Sequence, residues 1–447
     1  MVRFPDWLPS YRVCSFLLLI LLSSSLMWPR SSARLPDTPE SVIAIADVHN
    51  DFDDFVAILR HTGLIDDGSH WSAGKTTFVQ VGDLLDRGPK PREVLNLMMA
   101  LEKEAAQAGG RVISLLGNHE MMNIMGDLRY VVPVNYASFA DANSEKRQKA
   151  AFQEYVKWRD SHASLLAELP QPMEMTEPEW MARHPAGFVE QRDALGPKGQ
   201  YGEWLRGHDA VAEIAGVVFL HGGIHPDLAN TKPDAINQRI HGEIKEFDAL
   251  KQYLQNEKLI LPFFNLQEIA TVLQAEIIAE LKSRVPASDE RQSKIRQFLK
   301  FQQEWLSVRV DGPLWFRGYD QWTDEVGAPQ VSKILEAYKA THLVVGHTVQ
   351  KGGRIRPRFA NKVFLIDTGM LSSYYPGGKP SALEICGNGK FVAVYLDQNV
   401  LLDSPGFSPQ GARSGEQQSP EDGAAPSEKP GVLPLERVCS EASAPPQ

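Results

Sequence analysis

Short apolar runs rich in β-branched and aliphatic residues recur at positions 42–46, 77–81, 112–116, 217–220 and 343–345, bounded by Gly and Asp. Runs of this length and composition read as buried strands. Two more, at 363–367 and 391–396, mark a β-rich C-terminal stretch. Elsewhere the period lengthens. Residues 146–169 and 177–183 are amphipathic with helical spacing, as are 244–254, 266–281 and 291–306, with Pro262 and Pro286 as punctuation. These helical stretches fall in two insertions, about 121–215 and 234–305, that join strands. They are expected to lie over or beside the strand ends, either as cover for the sheet or as a cap that selects substrate.

The two ends of the chain differ from its middle. Arg3 and Arg12 precede an apolar stretch at 13–22 and then the small residues Ser31, Ser32 and Ala33. That is the order of a secretory signal, and the apolar core falls short of the roughly 20 residues a spanning helix needs. Export to the periplasm or the outside of the cell is expected, with membrane association through this segment if it stays uncleaved. Residues 1–38 are therefore read as signal and linker, 39–402 as one catalytic domain, and 403–447 as a disordered tail rich in Pro, Ser, Gly, Ala and Glu.

Length and composition allow a sizeable core: 447 residues, 43% apolar and 23% charged. A net charge of -10 argues against nucleic-acid binding, because no basic surface is available to meet a phosphate backbone. Cys14, Cys386 and Cys439 show no CxxC spacing, so neither a zinc knuckle nor a disulfide framework is expected, and a bridge between Cys386 and Cys439 is disfavoured.

Each of the first five apolar runs ends in a polar motif: Asp47-Val48-His49, Gly82-Asp83-Leu84-Leu85-Asp86-Arg87-Gly88, Gly117-Asn118-His119-Glu120, His221-Gly222-Gly223 and Gly346-His347. Ligands of an α/β sheet gather outside the carboxyl ends of its strands, so five distant segments can converge on one site. Taken singly, a DxH or a GH is nearly worthless, and a lone His such as His208 or His225 is more often a satisfied polar residue. All five in order carry the signal. Carboxylate, amide and imidazole together suit two divalent ions of manganese, iron or zinc. Asp47 and His49, two apart on an extended strand end, point the same way and are assigned to a first ion. Asp83 would bridge to a second, completed by Asn118, His221 and His347. Two ions about 3.5 to 4 Å apart polarise a phosphoryl group and make hydroxide available near neutral pH. His119 is then the candidate general acid, oriented by Asp86, while Arg87, Arg317 and Asn118 hold the phosphate. Arg317 is the weaker assignment, since an Arg beside Trp315 also stacks or pairs.

The second and third motifs resemble those of the phosphoprotein phosphatase family within the calcineurin-like metallophosphoesterases, and the resemblance spans about 42–396. Arg87, and a last motif Gly346-His347-Thr348-Val349 without a second His, favour the phosphoprotein branch. Leu314-Trp315-Phe316-Arg317-Gly318-Tyr319 looks like that family's second phosphate-binding arginine segment. Asp367-Thr368-Gly369-Met370 and Pro380-Ser381-Ala382-Leu383-Glu384 look like the bacterial-type Shewanella-like phosphatases. The resemblance implies an α/β (α+β) fold, a four-layer β-sandwich flanked by helices. It also implies a dinuclear centre and phosphatase activity on phosphorylated protein or peptide, with phosphotyrosine a preference in this branch. One departure stands out: Ala46-Asp47-Val48-His49-Asn50-Asp51 replaces the family's GDxHG, which puts the local turn in question. Asp51 either adds charge near the first ion or is an ordinary solvated or helix-capping carboxylate, and the second reading is favoured. The alternatives are a dinucleoside polyphosphate or other small phosphoester hydrolase, and a non-enzymatic phosphate- or metal-binding protein.

Overall fold

The computed structural model describes residues 41–170, 175–283 and 289–403, together with Val432–Leu433 and Cys439. The expected signal, Pro286 and most of the expected tail lie outside the described residues. Among those described, no helix is long and apolar enough to cross a membrane.

The strands run β1 Ser41–Ile45, β2 Thr77–Gln80, β3 Arg111–Ser114, β4 Val211–Ile214, β5 Val217–Leu220, β6 His342–Val345, β7 Arg356–Arg358, β8 Val363–Leu365, β9 Ser381–Cys386, β10 Phe391–Tyr395, β11 Asn399–Asp403 and β12 Val432–Leu433. They form a seven-stranded sheet in the order β12-β11-β10-β9-β1-β2-β3 and a five-stranded sheet in the order β4-β5-β6-β8-β7. β1, β2 and β3 are parallel, as are β5, β6 and β8, and antiparallel neighbours extend both sheets.

Alternation within each strand builds the layers. Val42 and Ala44 of β1, Val79 of β2, Phe219 of β5, Val344 of β6 and Phe364 of β8 share one buried cluster drawn from both sheets. Their neighbours Ile43, Ile45, Phe78, Val218, Leu343 and Val363 belong to a second cluster, together with helical side chains. Period two thus places one face of each sheet against the other sheet and the opposite face against helices, a β-sandwich with helical outer layers.

Both insertions are helical. Ser144–Ser161, Ala163–Leu166 and Glu177–Arg183 come from the first; Pro233–Asn256, Leu266–Ser283 and Asp289–Glu304 come from the second. The two pack on each other rather than separately: Trp158 meets Phe264 edge to face at 4.8 Å and donates its indole N–H to the Leu259 carbonyl, and His184 reaches Glu268 at 3.1 Å.

Two expectations need revision. Cys386, at the end of β9, is bonded to Cys439 across 53 residues of sequence. Val432–Leu433 pairs with β11, so the tail, read as largely disordered, contributes a short strand to the large sheet. Neither was visible in the sequence, because a pairing across so long a polar segment leaves no local periodicity. Asp51 behaves as expected, capping the helix Phe52–His61 by accepting from the Asp54 backbone N–H at 3.2 Å.

Candidate metal and phosphate site

The five motif strands and β8 all end on one side of the sandwich, and the loops just beyond them meet in one crevice. Asp47, His49, Asp83, Asn118, His221 and His347 are each 6% exposed or less, and the structure brings all six together. Two groups of buried donors share Asp83: His49, Asp83 and His119 form one, and Asp83, His221 and His347 the other, with donor atoms in each lying within 4.8 Å of one another. Asp47 Oδ2 stands 3.8 Å from His49 Nε2, and Asn118 Oδ1 stands 2.9 Å from His221 Nε2.

The loops that carry these groups are strained. His49, Asn50, Asp83, Asp86, Arg87 and His347 all have positive φ, a conformation uncommon for residues with a side chain and concentrated at functional sites. Asn50 accounts for the departure in the first motif. Its φ of 61° is the left-handed value for which glycine is the usual choice, and Asn is the side chain that tolerates it best. Its amide also donates to the Gly88 carbonyl at 3.2 Å, tying the first motif to the second. At Gly117 no substitute fits, because a Cβ would collide with the Asp83 carboxylate and backbone.

Glu120 holds the second motif in shape. Its carboxylate accepts from the backbone N–H groups of Asp83 (2.7 Å), Gly117 (2.9 Å), Leu84 (2.9 Å) and Leu85 (3.2 Å). Burial, with Asp83 beside it, pushes Glu120 up to about 7. The four donors nevertheless require acceptors on both oxygens. Glu120→Gln would turn one oxygen into a donor facing donors, and unfolding should become easier by about 1–3 kcal/mol with weaker metal retention. Denaturant unfolding and metal analysis test this; an unchanged midpoint would remove Glu120 from the supporting role.

Three of the histidines turn one ring nitrogen toward the crevice. His49 Nδ1 and His221 Nδ1 each sit 2.9 Å from a backbone carbonyl, those of Leu85 and Val81, leaving Nε2 facing inward. His347 is reversed, with Nε2 at 3.1 Å from the Trp315 carbonyl. Such a second hydrogen bond fixes the tautomer of a ligating imidazole. His119 differs, since its Nδ1 faces the Asp86 carboxylate at 2.7 Å, and Asp86 in turn accepts from Asn123 at 2.9 Å. Burial alone would lower His119, but Asp83 and Asp86 outweigh it and lift the imidazole above its ordinary range. His119 Nε2 lies 3.9 Å from Asp83 Oδ2, the same separation that His49 has, so proximity alone does not separate acid from ligand.

Arg87 and Arg317 touch different members of the site. Arg87 Nη1 contacts His49 Nε2 and the Tyr375 hydroxyl, and Nη2 lies 3.0 Å from His119 Nε2. The exposed Arg317 donates to the His347 carbonyl (2.9 Å) and to Thr348 Oγ1 (3.0 Å).

Sequence reading left several participants unassigned. Asp367, just beyond β8, is 1% exposed, and its charge, after burial, holds Asp47 well above the usual carboxylate range. Asp367 itself is pushed up to about 6, chiefly by burial, and its Oδ2 has no donor among the described residues. It ends an apolar run as the other five ligand motifs do, which was the available signal. Tyr130, Tyr374 and Tyr375 surround the Arg87 guanidinium at 5.2, 4.9 and 5.5 Å and come from loops with no periodic pattern.

Metal ions fit this donor set. Three carboxylates buried in one crevice, one with an unsatisfied oxygen, are costly without cations to meet them, and the surrounding Asn and His supply the remaining donors for two ions sharing Asp83.

Residues 41–351 match the family model for calcineurin-like phosphoesterases. The chain belongs to that family. Similar proteins include Shewanella-like protein phosphatase 2 of Arabidopsis thaliana, 31% identical over 224 residues that cover 47% of this chain and 53% of the relative. Shewanella-like protein phosphatase 1 of Plasmodium berghei is 26% identical over 348 residues, covering 77% and 71%. An uncharacterised protein of Schizosaccharomyces pombe is 27% identical over 372 residues, covering 81% and 83%. Among solved structures, a cold-active protein-tyrosine phosphatase of a Shewanella species aligns with a TM-score of 0.48 and 24% identity, covering 82% of this phosphoesterase and 81% of that chain.

Proposed function

We propose that this phosphoesterase removes phosphoryl groups from phosphorylated protein or peptide. The observation that carries the reading is the His119–Asp86 pair set among buried donor groups that share Asp83, with Arg87 beside it. The carboxylates of Asp83 and Asp86 raise this imidazole toward its charged form, the state from which it can give up a proton. Bound divalent ions would supply Lewis-acid polarisation and lower the pKa of water. The protein's own groups do the rest. Arg87 and Arg317 approach the phosphoryl oxygens from two sides and fix its orientation. His119 delivers a proton to the departing oxygen, and Asp86, held by Asn123, keeps the ring charged and aimed.

Two features bear on the substrate. The names of the Arabidopsis and Plasmodium relatives support a protein substrate. The rings of Tyr130 and Tyr374, 37% and 50% exposed, flank Arg87 and offer apolar walls to an aryl leaving group, which favours phosphotyrosine. The full chain, supplied with manganese, should turn over a phosphotyrosine peptide faster than a phosphothreonine peptide. Tyr374→Ala should lower kcat/KM for the first by up to about tenfold and leave the second unchanged. Turnover of neither peptide, with cleavage of diadenosine tetraphosphate, would move the assignment to small phosphoesters. Export is part of the same proposal, supported by the basic, apolar and small-residue order of the N-terminus and by the Cys386–Cys439 bond, of a kind that persists in oxidising compartments.

A further inference from the structure

A second positively charged site lies away from the crevice, where the helices Phe188–Ala194 and Pro233–Asn256 face the loop after Ala194. A cleft of about 420 Å³ there is lined by Arg192, Lys198, Arg206 and Lys251, against which stand two carboxylates, Asp193 and Asp248. Its size is that of a small-molecule site. In a chain of net charge -10, the four cations of this cleft outnumber the two carboxylates that line it.

The pairing inside the cleft is incomplete. Asp248 is committed to Arg206, accepting from Nε at 2.8 Å and from Nη2 at 3.0 Å. Arg192 is 5% exposed, yet its Nε has no hydrogen-bond partner among the described residues, and Nη1 reaches only the Asn123 carbonyl at 3.1 Å. Lys251 makes no hydrogen bond or ion pair to a described residue. Burial, then Arg192 and Arg206, push its amino group down to about 7. A buried guanidinium with an unmet N–H is costly, and a multivalent anion in the cleft would meet Arg192 together with the half-buried Lys251 and the exposed Lys198. Guanidinium forks joined by ammonium groups match the oxygens of a phosphate.

Arg192 also connects the cleft to the catalytic crevice. The carbonyl it holds belongs to Asn123, whose side chain donates to Asp86 Oδ1, while Asp86 Oδ2 faces His119 Nδ1. We propose that this cleft is a non-catalytic site for a small phosphorylated molecule, and that its occupancy is felt at His119 through Arg192, Asn123 and Asp86. The binding claim stands whether or not the chain is a protein phosphatase; the communication claim rests on that reading.

Calorimetric titration of the full, metal-loaded protein separates the two. The probes are inorganic phosphate, which is the product of the reaction, and 3-phosphonopropionate, an organic anion that a phosphatase does not cleave. Two classes of site are expected in the unaltered protein. Lys251→Met, which keeps the apolar stem, should remove one class and leave the class that Arg87→Ala removes. Lys198→Ala, at an exposed position, should weaken the same class as Lys251→Met without endangering the fold. Whichever probe saturates that class at lower concentration identifies the source of the phosphate group. A single class untouched by both lysine variants would overturn the site. At saturating aryl phosphate, where competition at the crevice is suppressed, saturating 3-phosphonopropionate should change kcat by about fivefold or more, the lower end of ordinary coupling between sites. It should leave kcat of Lys251→Met unchanged. Loss of a binding class with no effect on kcat would keep the site and overturn the communication.

Discussion

His119→Ala should lower turnover of a phosphothreonine peptide by about 10²–10⁴-fold, the range that a positioned proton donor contributes, while both metal ions remain bound. The argument rests on what His119 touches. Its Nδ1 is taken by Asp86, Asp86 is fixed by Asn123, and the nearby carboxylates raise the ring toward its charged form, the state that a proton donor needs. Removing it leaves Asp47, His49, Asp83, Asn118, His221 and His347 in place. The loss should shrink on an activated aryl phosphate, whose leaving oxygen hardly needs a proton. Kinetics on both substrates and metal analysis of the purified variant check the assignment. Loss of one ion, together with equal losses on both substrates, would make His119 a ligand instead, the role its 3.9 Å separation from Asp83 leaves open.

Asp83→Asn should be more damaging than its isosteric shape implies. Asp83 Oδ1 accepts the His119 backbone N–H at 2.9 Å, so an amide at this position must keep its oxygen there and turn its NH₂ toward the Oδ2 side. That side faces His221 at 3.2 Å and both His49 and His119 at 3.9 Å. A nitrogen bearing two hydrogens offers no lone pair to an ion, so the atom shared by the two donor groups is lost. Metal content should fall, and with it the several kcal/mol of charge stabilisation that metals provide, about 10³-fold or more in rate. Elemental analysis and an aryl phosphate assay decide the point. Two retained ions with activity within tenfold of the unaltered protein would refute the shared-ligand role.

Much of this site was legible because its chemistry is local. Each ligand follows an apolar run of three to five residues, and both signals sit within one window of sequence. The helix Glu177–Arg183 was legible for the same reason, having its cap, its apolar face and its acidic first turn together. What escaped depends on partners far away in the chain. Tyr375 matters because the fold sets it against Arg87, and Arg192 because it meets the carbonyl of Asn123. Glu120 lay inside a motif already singled out, but its role as acceptor for four backbone donors appears only once the loop from Asp83 to Leu85 has closed over it. β9 was noticed as a motif rather than as a strand. All six of its residues are buried, so it lacks the polar alternation that marks a half-exposed strand.

The bond between Cys386 and Cys439 has a bearing on how the protein is made. It closes a loop of 53 residues in sequence, for which chain-entropy arguments give about 4 kcal/mol. It also keeps Val432–Leu433 beside β11, where that short strand covers the outer edge of the larger sheet. A chain produced in a reducing cytosol would lack the tether, and β11 would then offer unpaired backbone to other chains, the usual starting point for aggregation. Soluble yield should therefore follow the redox state of the compartment chosen for expression, independently of anything at the metal site.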